Sequence, residues 1–93
     1  MRPEGVVEIV PRNVAQFHAT RWEGEENSPD LAWMADQFGW TVKYLSGRAI
    51  ITGRHRKRVE VRPNSWVIAL GVNGSVRIVN DRVFARDYEE VAQ

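Results

Sequence analysis

From Trp40 to Asn80, apolar and polar residues follow a period close to two, the repeat of a half-buried β-strand. Five segments carry it: WTVKYL, RAIIT, KRVEVR, WVIALG and SVRIVN. Breaks containing glycine, proline or asparagine separate them, at Ser46-Gly47, residues 53–56, residues 63–65 and Asn73-Gly74. Asn73-Gly74 predicts a tight hairpin, because both residues tolerate the positive φ of a type I′ turn. In RVEVR, Val59 and Val61 point inward and Arg58, Glu60 and Arg62 outward. WVIAL is apolar on both faces, as a central strand covered from both sides must be.

Upstream the period changes. Leu31, Met34, Ala35 and Phe38 fall at i, i+3, i+4 and i+7, which predicts an amphipathic helix of about ten residues. Ser28 caps it, Pro29 occupies the first helical position, Asp30 sits near the positive dipole end and Gly39 ends it. Residues 6–10 and 14–22 predict two further strands with Pro11 at a boundary. In the second, Ala15, Phe17 and Ala19 face one side and Gln16, His18 and Thr20 the other. In the tail, Phe84, Tyr88 and Val91 at i, i+4, i+7 behind an Asp81 cap predict a short helical turn packed on the sheet edge. The predicted class is α+β: a curved antiparallel meander of about five to six strands, one helix across it and a short C-terminal helical turn.

Ninety-three residues make a single compact domain, residues 1–93, which buries roughly 60–65% of its unfolded surface. An apolar share of 43% and a charged share of 27% are those of a globular chain. A net charge of +1 argues against a generally basic coat for nucleic acid. The absence of cysteine removes disulfides, thiolate nucleophiles and cysteine-ligated zinc. The longest apolar run, Trp66 to Leu70, is too short to span a bilayer, and MRPEGVVEIVPRN has acids and a proline where a signal peptide needs its apolar core. No membrane association and a cytoplasmic location are expected.

Catalytic chemistry is not indicated. His18 and His55 lie on different elements, and neither belongs to a ligand-spaced pair. Ser28, Ser46, Ser65 and Ser75 all fall at caps or turns, where hydroxyls serve the backbone. No G-x-S-x-G elbow and no glycine-rich phosphate loop occurs, and EGEEN lacks the oxygen spacing of a calcium loop. The expectation is a non-enzyme with no catalytic residue, metal or cofactor.

Charge is segregated. Between residues 46 and 62 stand Arg48, Arg54, Arg56, Lys57, Arg58 and Arg62 against Glu60 alone. Between residues 23 and 36 stand Glu23, Glu25, Glu26, Asp30 and Asp36 with no base. Arg54, Arg56, Lys57 and Arg58 are therefore candidates for nucleic acid or an acidic partner, although no aromatic lies among them to stack a base. The bland alternative is a hydrophilic hairpin tip. Of four tryptophans, Trp66 is read as core, and Trp22 and Trp40 as half-buried at element ends. Trp33 points away from the apolar helix stripe, beside Asp36 and Gln37. It is either packed by the flanking loop or displayed, and Trp33, Asp36 and Gln37 form a candidate partner-binding patch.

The stretch SWVIALGVNGSVRIVNDRVFARDYEEV resembles a group of small uncharacterised proteins of phages and prophages. Their strand VeAvqf, short helix and hairpin lead to GDwIi-G-xGe-fypc-xdxFexxYexv. Val14-Ala15-Gln16-Phe17 and Trp22 match the first piece, and Trp66, Ile68, Gly71, Gly74, Phe84, Tyr88 and Glu89 the last. Asn64-Ser65 stands in place of Gly-Asp, and Val76-Arg77-Ile78-Val79 in place of Phe-Tyr-Pro-Cys. The resemblance implies the fold and a viral origin, with no activity attached. The expected function is that of a phage accessory protein binding a host protein in the host cytoplasm. The alternatives are a nucleic-acid-binding module using the Arg-rich hairpin, and a homo-oligomer assembled head to tail through the two charged segments.

Overall fold

The computed structural model describes residues 3–11, 17–53, 56–70 and 75–90. Helix α1 (Pro29–Phe38) forms where the caps and periodicity place it. The Leu31 N–H donates to Ser28 Oγ at 3.3 Å, Pro29 needs no donor, and Gly39 closes the last turn in the left-handed region at φ 74. Leu31 and Met34 are fully buried.

The class is α+β with antiparallel sheets, as expected. The strands, however, number eight among the described residues and divide between two sheets instead of running as one meander. Strands β1 (Val6–Pro11), β2 (Phe17–Trp22), β6 (Ser65–Leu70), β7 (Ser75–Asn80) and β8 (Tyr88–Glu90) form one sheet in the order β7-β6-β2-β1-β8. Strands β3 (Thr41–Leu45), β4 (Arg48–Thr52) and β5 (Arg58–Val61) form a separate sheet in the order β3-β4-β5.

The split has a physical cause. β5 carries exposed Arg58 and Glu60 on one face, which suits a sheet that is wet on one side. β6 is apolar on both faces and needs cover on both, so it pairs with β2 and β7 in the middle of the larger sheet. The chain changes sheet at Pro63 and Asn64. Asn64 adopts φ 66, and its N–H donates to the Trp22 carbonyl at 2.6 Å. Residues 14–16 and the Asn73-Gly74 turn lie outside the described residues.

Two apolar clusters result. Val6, Trp22, Leu31, Met34, Trp40, Ile51, Val61, Val67 and Ala69 fill the space between α1, the three-stranded sheet and one face of the larger sheet. Ile9, Ala19, Ile68, Val79, Phe84 and Tyr88 form the second cluster on the opposite face. Helix α2 (Asp81–Asp87) covers that face, and two expectations for the tail are corrected here. The cap is Asn80, whose Oδ1 accepts the Val83 N–H at 2.9 Å, not Asp81. Tyr88 opens β8 instead of extending the helical face, because β1 offers its backbone a partner: Pro11 pairs Tyr88 and Val10 pairs Glu89. Val91 lies outside the described residues.

The tryptophans also sort differently. Trp22 (1% exposed) and Trp40 (6%) are buried, not half-buried, and the Trp22 indole N–H donates to the Glu25 carbonyl at 2.8 Å. Trp66 is only partly buried. Its ring stacks on Phe84 at 3.8 Å between centroids and 5° between planes, and its N–H donates to Asp81.

Candidate functional site

One flank of α1 carries short side chains, beginning with Ala35 at the margin of its apolar stripe. Ala32, Ala35 and Asp36 fall at i, i+3 and i+4 there, and the chain returns after Gly39 as β3, beside the helix. The result is an open groove of about 630 Å³, with Ala32, Ala35 and Asp36 on one wall and Trp40, Val42 and Tyr44 on the other.

Tyr44 joins the walls. Its hydroxyl accepts the Ser28 N–H at 3.1 Å, so the residue that caps α1 is also tied to β3. Burial pushes the Tyr44 phenol above its ordinary pKa and nearby Glu25 adds to this, while the Ser28 bond opposes them. Asp30, in the first turn of α1, is likewise held above the usual carboxylate range, first by burial and then by Glu25. Asp36 is exposed in the groove, and Glu25 and Glu26 are exposed just before its Asn27–Ser28 end, with Glu25 lining a neighbouring cleft together with Asp30.

The candidate patch on α1 is only partly brought together. Asp36 lines the groove and Gln37 is exposed nearby. Trp33 lies on the neighbouring flank and is half-buried, neither tucked under the flanking loop nor displayed. Its ring sits 5.8 Å from His18 of β2, and His18 also lies 5.9 Å from Phe38. His18 is thus packed among aromatics of α1, and no cluster of metal-ligating side chains occurs among the described residues.

The basic candidates stand apart from the groove. Arg54 and His55 lie outside the described residues. Arg56 (φ 59), Lys57 and Arg58 are exposed at the β4–β5 connection, where the Gly53 N–H donates to the Lys57 carbonyl at 2.9 Å. On the outer face of the three-stranded sheet, Arg48 and Arg62 both reach Glu60, at 3.4 and 3.8 Å. That face carries Lys43 and Arg58 as well, without an aromatic among the described residues.

Sequence reasoning did not find the groove itself. Its one local signal is the Ala32/Ala35 pair at helical spacing, opposite a strand separated from the helix by only two residues, Gly39 and Trp40. No family model, curated protein or solved structure matches this chain. No helix among the described residues is long and apolar enough to cross a membrane.

Proposed function

We propose that this chain is a non-enzymatic, phage-encoded accessory protein that acts by binding a host protein in the bacterial cytoplasm, with the α1/β3 groove as its contact. The observation that carries this reading is the groove: a concave surface of mixed apolar and polar lining, with Ala32, Ala35, Trp40, Val42 and Tyr44 beside Asn27, Ser28 and Asp36. Its volume falls in the range of binding clefts, about 300–1,000 Å³. The phage attribution rests on the motif resemblance alone.

Co-purification from bacterial lysate tests it. Ala32→Arg fills the groove from an exposed position and should leave the fold intact. A host protein retained by wild type and by Arg56→Glu/Lys57→Glu, but lost by Ala32→Arg, supports the groove. Loss by the hairpin variant alone moves the contact to the hairpin, and retention by every variant removes both surfaces.

A second reading, nucleic-acid binding, is favoured by the exposed Arg56, Lys57 and Arg58. Three phosphate contacts predict a slope of log K against log[salt] of about −2.7. Absence of a gel shift at about 50 mM salt dismisses it.

A further inference from the structure

We infer that the outer edge of β3 accepts an extended, Arg- or Lys-bearing segment of a partner protein as an additional strand, seated in the groove alongside α1. The inference rests on the protein-binding reading above and names the kind of partner that the groove takes.

Hydrogen-bond parity identifies the groups on offer. The four-residue β3–β4 turn has Gly47 at its third position with φ 76, as a type II turn requires, and Leu45↔Arg48 is the pair that closes it. A closing pair is hydrogen-bonded, and bonded and non-bonded pairs alternate along an antiparallel ladder. Thr41, Lys43 and Leu45 therefore bond to β4, while the N–H and C=O of Val42 and Tyr44 point away from it. The far side of β4 agrees independently. Gly53 bonds to Lys57 beyond the end of β5, so Gly53, Ile51 and Ala49 face β5, and Thr52, Ile50 and Arg48 face β3. No strand among the described residues pairs with the outer edge of β3.

These outward groups belong to the two β3 residues that line the groove. A strand adds at about 4.7–4.9 Å, and alternate residues such as Val42 and Tyr44 stand about 6.6–6.8 Å apart, the repeat of an extended chain. The other sheet edges are less suited. β5 and β7 lie against each other, and β8 is three residues long. β3 also lacks the usual protection of an edge: it has no proline, and its one charge, Lys43, is on the face away from the core.

Charge selects the occupant. Asp36 lines the groove, Glu25 and Glu26 lie just before its Asn27–Ser28 end, and residues 23 to 36 hold five acids with no base. A strand with cations on alternate residues would place them against Asp36 and toward Glu25 and Glu26 at the Asn27–Ser28 end. Two copies pairing through β3 would instead set Asp36 and the acidic approach of one against those of the other. A partner strand of opposite sign fits better than a second copy. The mode is strand addition, in which main-chain bonds supply affinity and alternate side chains supply selectivity.

Amide exchange on the full chain, with three synthetic peptides as probes, tests the inference. The probes are acetyl-RVRVRVR-amide, acetyl-EVEVEVE-amide, and the basic peptide N-methylated at every interior amide. At about 50 mM salt the basic peptide is expected to slow exchange at Val42 and Tyr44 by about tenfold or more. The acidic peptide should bind about tenfold more weakly, and Asp36→Lys should weaken the basic peptide while leaving the melting temperature unchanged. The N-methylated peptide should not protect either amide.

Equal binding by the parent and N-methylated peptides overturns strand addition. So does equal binding by the acidic peptide, protection confined to other residues, or no binding by any probe. Concentration-dependent protection of Val42 and Tyr44 without peptide makes a second copy the occupant, and also overturns it. If a host protein is still lost on Ala32→Arg while N-methylation changes nothing, groove docking stands and strand addition falls. If the basic peptide protects Val42 and Tyr44 but host capture ignores Ala32→Arg, strand addition stands and the host-protein reading falls.

Discussion

Ser28→Ala probes the junction on which both α1 and the groove depend. Ser28 is 3% exposed and makes three hydrogen bonds. Its Oγ accepts the Leu31 N–H at 3.3 Å, its carbonyl accepts the Ala32 N–H at 3.0 Å, and its N–H donates to Tyr44 at 3.1 Å. Alanine deletes only the first and leaves the N–H of fully buried Leu31 without a partner. Loss of an N-cap costs about 0.5–2 kcal/mol. Burial of Leu31 pulls toward the upper end, because water cannot replace the lost oxygen, and the long 3.3 Å bond pulls toward the lower. The expected loss is about 1–1.5 kcal/mol, which for a domain of this size lowers the melting temperature by about 4–12 °C. Ser28→Gly, which leaves room for solvent at the cap, should lose only a few tenths of a kcal/mol. Tyr44→Phe strips the acceptor from the Ser28 N–H and should cost about 1 kcal/mol through a different bond. Thermal melts followed by far-ultraviolet circular dichroism read all three. If Ser28→Ala melts within 1–2 °C of wild type, or if glycine costs as much as alanine, the cap does not hold this helix.

Three further outcomes follow from other parts of the molecule. Asp81 accepts from Arg21 and from the Trp66 indole, and the Arg21 bond is the main cause that holds its carboxyl below the ordinary range. Its stabilising contribution is therefore present above the unfolded pKa and lost as pH falls through the folded one; in a carboxyl-carbon NMR titration Arg21→Gln should move the midpoint upward, and an unmoved midpoint rejects the pairing. The parallel stack of Trp66 on Phe84 at 3.8 Å predicts a coupling of about 0.5–1.5 kcal/mol in a double-mutant cycle with Trp66→Leu and Phe84→Leu, measured by urea unfolding; coupling under about 0.3 kcal/mol counts against it. At Gly47, φ is 76 and an added Cβ would meet open space, so Gly47→Ala should cost about 1 kcal/mol of pure backbone strain and Gly47→Asn less; equal midpoints for all three chains would show that the turn relaxes.

What the sequence made legible was local. Ser28, Pro29 and Gly39 mark both ends of α1, and each of the five period-two segments became a strand. WVIAL announced a strand covered on both sides, and β6 is one. Nothing local announced that its partner would be β2, whose residues lie more than forty positions away, and the division into two sheets follows from that pairing. The same limit explains Trp33. A helical projection sets it opposite the apolar stripe, but β2 passes on that side and supplies His18 as a neighbour. At the start of α2 the sequence offers two good caps side by side, Asn80 and Asp81. The choice fell to Asn80, and Asp81 was left to bind Arg21 and Trp66, sixty and fifteen residues distant. The candidate site was least legible, since an open edge depends on strand order, and strand order is a property of the whole chain.

The separation of charge gains meaning from which side of it is engaged. Several arginines serve as clamps: Arg21 on Asp81 and Glu23, Arg48 and Arg62 on Glu60, Arg77 and Arg86 on Asp87. Exposed pairs of this kind stabilise by about 0–1 kcal/mol each, so they orient side chains more than they hold the fold. Lys43, Arg56, Lys57 and Arg58 lie on the wet face and tip of the three-stranded sheet, away from the groove, and that face carries no aromatic among the described residues. Glu25, Glu26 and Asp36 have no cationic partner among the described residues; Asp36 lines the groove beside the unpaired edge of β3, and Glu25 and Glu26 lie just before its Asn27–Ser28 end. Carboxylates without a protein partner beside an unpaired strand edge suit a ligand that supplies both cations and a main chain. A basic extended segment does so. Attraction between exposed charges is screened over about 8–10 Å at 0.1–0.15 M salt, whereas main-chain bonds inside the groove are not. Added salt should therefore slow association of such a segment far more than it speeds its release.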